Sequence, residues 1–194
     1  MKMEHSDLTE SLPKTTDVRH KFPIRVQITR MVWKVVWLFL FRPFSLRIFR
    51  KWRVLILRLF GADVDWTCMI HGSVQIWAPW NLTMRAFSCL GSDVDCYNQG
   101  AVFVGENATV SQKTYICASS HDYCDPSNRL ILCPISIGAR SWVAADSFIG
   151  PSVTIGEGAV IGARSVVTKD MPEWMVCAGH PCKPIKERVM RAAS

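Results

Sequence analysis

Residues 137–167 read Ile-Gly-Ala-Arg-Ser-Trp-Val-Ala-Ala-Asp-Ser-Phe-Ile-Gly-Pro-Ser-Val-Thr-Ile-Gly-Glu-Gly-Ala-Val-Ile-Gly-Ala-Arg-Ser-Val-Val, and this stretch decides the fold. In steps of six it gives Ile137, Val143, Ile149, Ile155, Ile161 and Val167, all β-branched aliphatics. The position after each is tiny or small: Gly138, Ala144, Gly150, Gly156, Gly162 and Thr168. A period of six is neither a helical repeat nor a simple strand alternation. It suits a coil with three short faces, whose aliphatic points into a narrow prism and stacks on its equivalent about eighteen residues along. Glycine is expected at the corners, where the backbone needs unusual dihedrals. The spacing predicts a mainly β fold, a parallel β-helix, and leaves its handedness open.

The same register extends upstream through Val64, Ile70, Ile76 and Leu82, then Leu90, Cys96 and Val102, then Val104, Val110 and Ile116. The offsets between these runs predict short bulges at about 88–89 and 103. From Asp122 to Pro134 the period breaks, and it resumes at Ile135. A loop excursion is therefore expected over 122–134. The chain divides into an N-terminal tail (1–17), a basic amphipathic helical segment (18–61), the β-helix (62–188) and a C-terminal tail (189–194).

The chain has 194 residues, 49% of them hydrophobic, and a net charge of +7. That charge is local: 18–62 holds eleven Lys or Arg and no Asp or Glu, leaving −4 for the remainder. Nucleic-acid binding is disfavoured, since no recognition motif accompanies the basic stretch. The longest apolar run, Val35 to Phe41, falls short of the roughly 20 residues that a spanning helix needs. With no secretory signal before it, the chain reads as cytoplasmic, and its eight cysteines, none in a CxxC pair, as free thiols.

Within the basic segment, Ile28, Met31, Val32, Val35, Val36 and Phe39 recur at helical spacing. A second helix follows Arg42-Pro43, with Ile48, Phe49, Trp52, Leu55, Ile56 and Leu59 apolar and Arg47, Arg50, Lys51, Arg53 and Arg58 largely opposite; Gly61 is its expected stop. Two readings stand together. The helices cap the open end of the first coil, or they lie on an anionic membrane surface, which would make the protein peripheral on the inner face of the plasma membrane.

Three segments carry a family resemblance: Ser120-His121-Asp122-Tyr123, the run from Ile149 to Asp170, and Ala178-Gly-His-Pro-Cys-Lys-Pro-Ile-Lys-Glu-Arg188. Over about 62–188 the chain resembles the hexapeptide-repeat acyltransferases, and most of all the colanic acid and exopolysaccharide O-acetyltransferases, relatives of the maltose and nodulation-factor enzymes. The resemblance implies a left-handed β-helix, a homotrimer, acetyl-CoA as acyl donor and a saccharide acceptor, lipid-linked if the basic segment sits on a membrane. It implies no metal. The γ-type carbonic anhydrases share the fold but need three His around zinc, and His71, His121 and His180 stand too far apart in sequence to supply them.

His121 opens the excursion, at the lip of a rigid prism. Transfer of acetyl from a thioester to a hydroxyl needs one proton removed, which imidazole can accept, and the resemblance makes His121 the general base. Asp122 and Asp125 either orient it or contact the acceptor; their alternative is turn formation in Asp122-Tyr-Cys-Asp-Pro-Ser-Asn128. Asn98 is a candidate acceptor contact, with a corner asparagine ladder as its alternative. For the donor, the resemblance points to Ala144 and Ala163, where tiny side chains let the pantetheine arm reach the backbone, and to Thr168, Lys169 and Lys183 near the nucleotide, with Arg188 a weaker candidate. His180 and Cys182 depart from the Asn and Ala usual in the family ending. Two other functions compete: acetyl transfer to serine, a nucleotide-sugar amine or a xenobiotic alcohol, and a non-catalytic hexapeptide-repeat scaffold.

Overall fold

The structure, a computed structural model, describes residues 22–190. The tail at 1–17 with His5, the start of the basic segment with His20, and residues 191–194 lie outside the described residues.

Three parallel sheets wrap one prism. The first face stacks Asp63–Val64, Leu82–Met84, Val102–Val104, Ile135–Ile137 and Thr154–Ile155. The second stacks Met69–Ile70, Cys89–Leu90, Thr109–Val110, Trp142–Val143 and Val160–Ile161, and ends in the antiparallel hairpin Met175–Gly179/Cys182–Glu187. The third stacks Gln75–Ile76, Asp95–Tyr97, Tyr115–Cys117, Phe148–Ile149 and Val166–Val167. The six-residue aliphatics are the inner column: Ile137 pairs with Ile155, Val143 with Ile161 and Ile149 with Val167, eighteen residues apart, and all six are buried.

Earlier coils are longer. Val64 pairs with Met84 and Ile70 with Leu90, twenty residues apart, while Val104 pairs with Ile137, thirty-three apart. The surplus falls at a single corner, between the third face and the first. There the steps from Ile76 to Met84 and from Cys96 to Val104 are eight residues instead of six, and the step from Ile116 to Ile137 is twenty-one. The bulges expected at 88–89 and 103 are instead corner insertions near 77–81, which includes the 3-10 turn Pro79–Asn81, and 97–101. The periodicity misplaces them because Leu82–Met84 and Val102–Val104 each bury both ends, so an aliphatic reads correctly at either of two offsets.

The corner glycines also differ from expectation. In the run from Ile137 the left-handed backbone positions are Arg140, Asp146, Ser152 and Arg164 (φ 56–60°), with Gly158 completing the series. The glycines after the aliphatics serve close approach instead. A Cβ on Gly138 would sit 2.7 Å from the Gly156 carbonyl carbon, and one on Gly150 would sit 2.9 Å from the Val167 oxygen.

Helix α1 (Ile24–Val36) runs into a π-helical turn, Trp37–Phe41, and stops at Arg42-Pro43. After a 3-10 turn, Arg47–Phe49, helix α2 (Arg50–Leu59) ends at Gly61, whose φ of +87° makes the left-handed stop. The two helices cap the first coil: Trp33, Phe41, Val54 and Leu57 join the core of the prism.

Ladder polarity explains the chemistry of the cap. Each coil donates its N–H groups to carbonyls of the next: Asp65 to Met84, His71 to Leu90, Gln75 to Val94 and Trp77 to Cys96. The first coil has no predecessor, so its equivalent carbonyls at Val64, Ile70, Val74 and Ile76 need donors from elsewhere. Arg58 Nη1, Arg53 Nε, Trp37 Nε1 and Trp33 Nε1 donate to those four at 2.7–2.8 Å, and Arg50 Nη1 donates to the Thr67 carbonyl at 2.7 Å. Arg and Trp side chains are donors only, as this edge requires. Arg53 therefore lies on the inward face of α2, 3% exposed, where the sequence placed it among outward cations.

Candidate active site

The corner that absorbs the insertions also carries His121. The excursion is a β-hairpin, Ser119–His121 paired antiparallel with Leu130–Leu132. Asp122 Oδ1 accepts from the Cys124 N–H and Asp125 Oδ1 from the Ser127 N–H, so both carboxylates build the hairpin turn. Asn128, in the left-handed region at φ 47°, presents its carbonyl to the His121 ring, 2.7 Å from Nδ1. A carbonyl can only accept, so Nδ1 carries the proton and Nε2 is the basic nitrogen of the neutral ring. The sequence reading missed the part played by Asn128; its signal is the turn-forming Asp125-Pro-Ser-Asn128.

Asn98 stands in the wall beneath this hairpin. It is fully buried, its Oδ1 accepting from the Ala78 N–H at 3.0 Å and its Nδ2 donating to the Ala78 carbonyl at 2.6 Å. With Asn81 donating to the Asn98 and Gln99 carbonyls, it forms the corner ladder, and its carboxamide is committed there instead of facing an acceptor.

Of the donor candidates, Thr168 and Lys169 follow the third face, on the corner that carries His121, while Ala144 and Ala163 lie on a different corner, between the second face and the third. Pairing stacks Gly91, Ser111, Ala144, Gly162 and Ala178 there as a seam of small residues, each following an inner-column residue. Ala163 is exposed beside it. Ala144 itself is engaged: its N–H donates to the Ile161 carbonyl at 2.9 Å, and its own carbonyl accepts from Ser147 Oγ at 2.9 Å and Thr114 Oγ1 at 3.3 Å. The backbone contact expected at Ala144 therefore finds both groups used by the wall, and Ala163 is the better-presented position. Thr168 and Lys169 are exposed after the last strand of the third face, and Lys183 is exposed on the terminal hairpin, paired opposite Ala178. Arg188 is a strap: its Nη1 donates to the Arg140 and Gly158 carbonyls, both at 2.8 Å.

Within one chain, His121 and the seam occupy different corners, with the third face between them. Tyr97, Tyr115 and Phe148 stack along that face at centroid distances of 6.2 and 5.8 Å. Burial pushes the Tyr115 hydroxyl up to about 12 and raises the Asp95 carboxyl. Between this face and α1 lies a cleft of about 450 Å³ lined by Arg30, Lys34, Trp37, Trp77, Asp95 and Tyr97 among others. The Arg30 guanidinium carbon sits 3.7 Å from the Trp77 ring centroid. Among the described residues no three His, Cys, Asp or Glu side chains are grouped to hold a metal ion.

The fold and the two corners define a hexapeptide-repeat protein, and comparison with known proteins agrees. The bacterial transferase hexapeptide family (six repeats) matches residues 134–169. WcaF of Escherichia coli K12, named as a colanic acid biosynthesis acetyltransferase, is 42% identical over 145 residues, 75% of this chain and 80% of the relative. Galactoside O-acetyltransferase of the same organism is 34% identical over 121 residues, 61% of this chain and 54% of that enzyme. A crystal structure of a maltose O-acetyltransferase from Clostridium difficile 630 superposes with a TM-score of 0.75 at 26% identity, covering 87% of this chain and 90% of that one. The chain belongs to the hexapeptide-repeat acetyltransferases, and is an acyltransferase.

Proposed function

We propose that the protein is an acetyl-CoA-dependent O-acetyltransferase that modifies a sugar hydroxyl in exopolysaccharide or surface-glycan synthesis, with His121 as general base. One observation carries the chemical part: the carbonyl of Asn128 holds Nδ1 of His121 as the protonated nitrogen and leaves Nε2 as the base. The saccharide part is supported by the kinship with the colanic acid and galactoside enzymes.

In this mechanism acetyl-CoA is a substrate, laid along the seam of small residues. Ala163 lets it approach the corner, while Lys169 and Lys183 offer cations to its phosphates. Nε2 of His121 accepts the acceptor hydroxyl proton as the oxygen bonds to the thioester carbonyl carbon. Collapse breaks the carbon–sulfur bond, the imidazolium returns the proton to the departing thiolate, and acetylated sugar and CoA leave. The thioester is already activated, so no covalent enzyme intermediate is needed. Because base and seam sit on different corners of one prism, the reaction site joins the hairpin of one subunit to the seam of another, which supports a homotrimer.

The test is CoA release from acetyl-CoA with a panel of saccharide acceptors. Acceptor-dependent release should fall by about 10²-fold or more in His121→Ala, as for loss of a general base. Undiminished release in the variant would remove His121 from the mechanism. Release driven only by amines or serine would remove the sugar hydroxyl.

A further inference from the structure

The helical cap leaves its apolar stripe on the outside. The inward face of α1 and its π-helical turn is Trp33, Trp37 and Phe41, while Ile28, Met31, Val35 and Phe39 are 54–68% exposed. Of the twenty-four exposed large hydrophobics among the described residues, thirteen fall between Ile24 and Leu59. A scatter that uneven is a patch, not ordinary surface.

The stripe has an interfacial geometry. At 100° per residue, Ile24, Ile28, Met31 and Val35 lie within one narrow sector of α1, with exposed Arg25 on one flank and exposed Lys34 on the other. A second stripe, Ile48, Leu55 and Leu59, runs along the outer side of the 3-10 turn and α2 with Arg47 and Lys51 beside it, all exposed. Trp52 Nε1 donates to the Leu40 carbonyl at 2.8 Å and so draws the two stripes together.

Charge identifies the occupant. Arg50, Arg53 and Arg58 donate to coil carbonyls, but Arg25, Lys34, Arg42, Arg47 and Lys51 are exposed, and no Asp or Glu lies between Phe22 and Ala62. A protein partner or second copy that covered this face would need to supply every counter-charge. On the prism, by contrast, carboxylates stand beside several of the exposed cations, as in Arg85–Asp63, Arg140–Glu157 and Arg164–Asp146. Bare apolar stripes flanked by unneutralised cations match an anionic bilayer surface, where aliphatics enter the acyl boundary and cations meet headgroups. Among the described residues no helix is long and apolar enough to cross a membrane, so the contact is superficial.

We infer that α1 and α2 seat this protein on anionic phospholipid membranes through the stripe from Ile24 to Phe39 and the flanking stripe of α2. The cleft beside the third face counts Lys34 and Leu38 among its lining, on the margin of this surface. A membrane-held acceptor would thus meet the enzyme on its helical side.

The experiment is flotation of the full chain with vesicles of phosphatidylglycerol and phosphatidylcholine, or of phosphatidylcholine alone, at about 50 mM and 500 mM salt. The same measurement is made on Met31→Glu/Phe39→Glu. The wild type should float with the anionic vesicles at low salt and lose most of that binding at high salt or on neutral vesicles. The variant should bind at least tenfold less, while keeping its melting temperature, its sedimentation coefficient and its CoA release with a soluble acceptor. No flotation, or flotation unchanged in the variant, would overturn the inference. A variant that changes its sedimentation coefficient would assign the stripe to contact between copies, and overturn it too.

Discussion

Arg53 shows how one residue can be misread by pattern and explained by polarity. In a helical projection it belongs with the cations of the outer surface, yet it is nearly inaccessible. Its guanidinium gathers three carbonyls, Ile70 at 2.7 Å, Leu46 at 3.1 Å and Phe44. Burial lowers its pKa, but a guanidinium starts so high that it stays charged. Arg53→Met keeps the volume and orphans those acceptors, so urea unfolding should show a loss of about 2–4 kcal/mol. Arg53→Lys should recover part of it, because an ammonium can reach only some of a planar fork's partners. His121 poses the complementary case. The sequence supplies the imidazole, and only the hairpin turn, through the carbonyl of Asn128, decides which ring nitrogen is basic.

At the scale of the element, the hexad assigns separate tasks to neighbouring positions. The aliphatic fills the prism, the residue after it lets the next coil approach, and the residue three after it takes the left-handed turn. Gly138 carries the second task and Arg140 the third. Gly138→Ala should therefore cost about 1–3 kcal/mol through overpacking, since its Cβ would meet backbone at 2.7 Å. Arg140→Gly removes a strained side chain at the cost of a looser unfolded state. Of this pair, thermal melting should single out Gly138→Ala as the damaging change. Equal losses would mean that the corner dihedral, not the close approach, sets the requirement.

The whole molecule adds what neither residue nor coil contains. His121 and the seam with Ala163 occupy separate corners, so the proposed reaction site belongs to neighbouring subunits. Mixed trimers of His121→Ala and Ala163→Trp chains make this measurable, each variant being inactive alone. Random assembly of a cyclic trimer places a native His121 against a native seam at about a quarter of the interfaces. Co-expression should therefore restore roughly a quarter of the CoA release. No recovery would confine the reaction to one subunit.

By itself the sequence determined the prism, because a six-residue aliphatic period with a small residue behind it has few other ways to bury itself. It also determined the helical segment before the prism, its glycine stop at Gly61 and the residue type able to take a proton at the lip of the coil. Tertiary structure decided where the surplus residues go. Strands such as Leu82–Met84 bury both ends and so read equally well at two offsets. It decided which face of each helix turns inward, because the carbonyls that select Trp33, Trp37 and Arg53 belong to the first coil, which follows the helices in the chain. It also committed Asn98 and the backbone of Ala144 to the wall, through partners twenty and seventeen residues away. Periodicity reports which residues are apolar along the chain. Hydrogen-bond partners drawn from different coils become neighbours only when the coil closes.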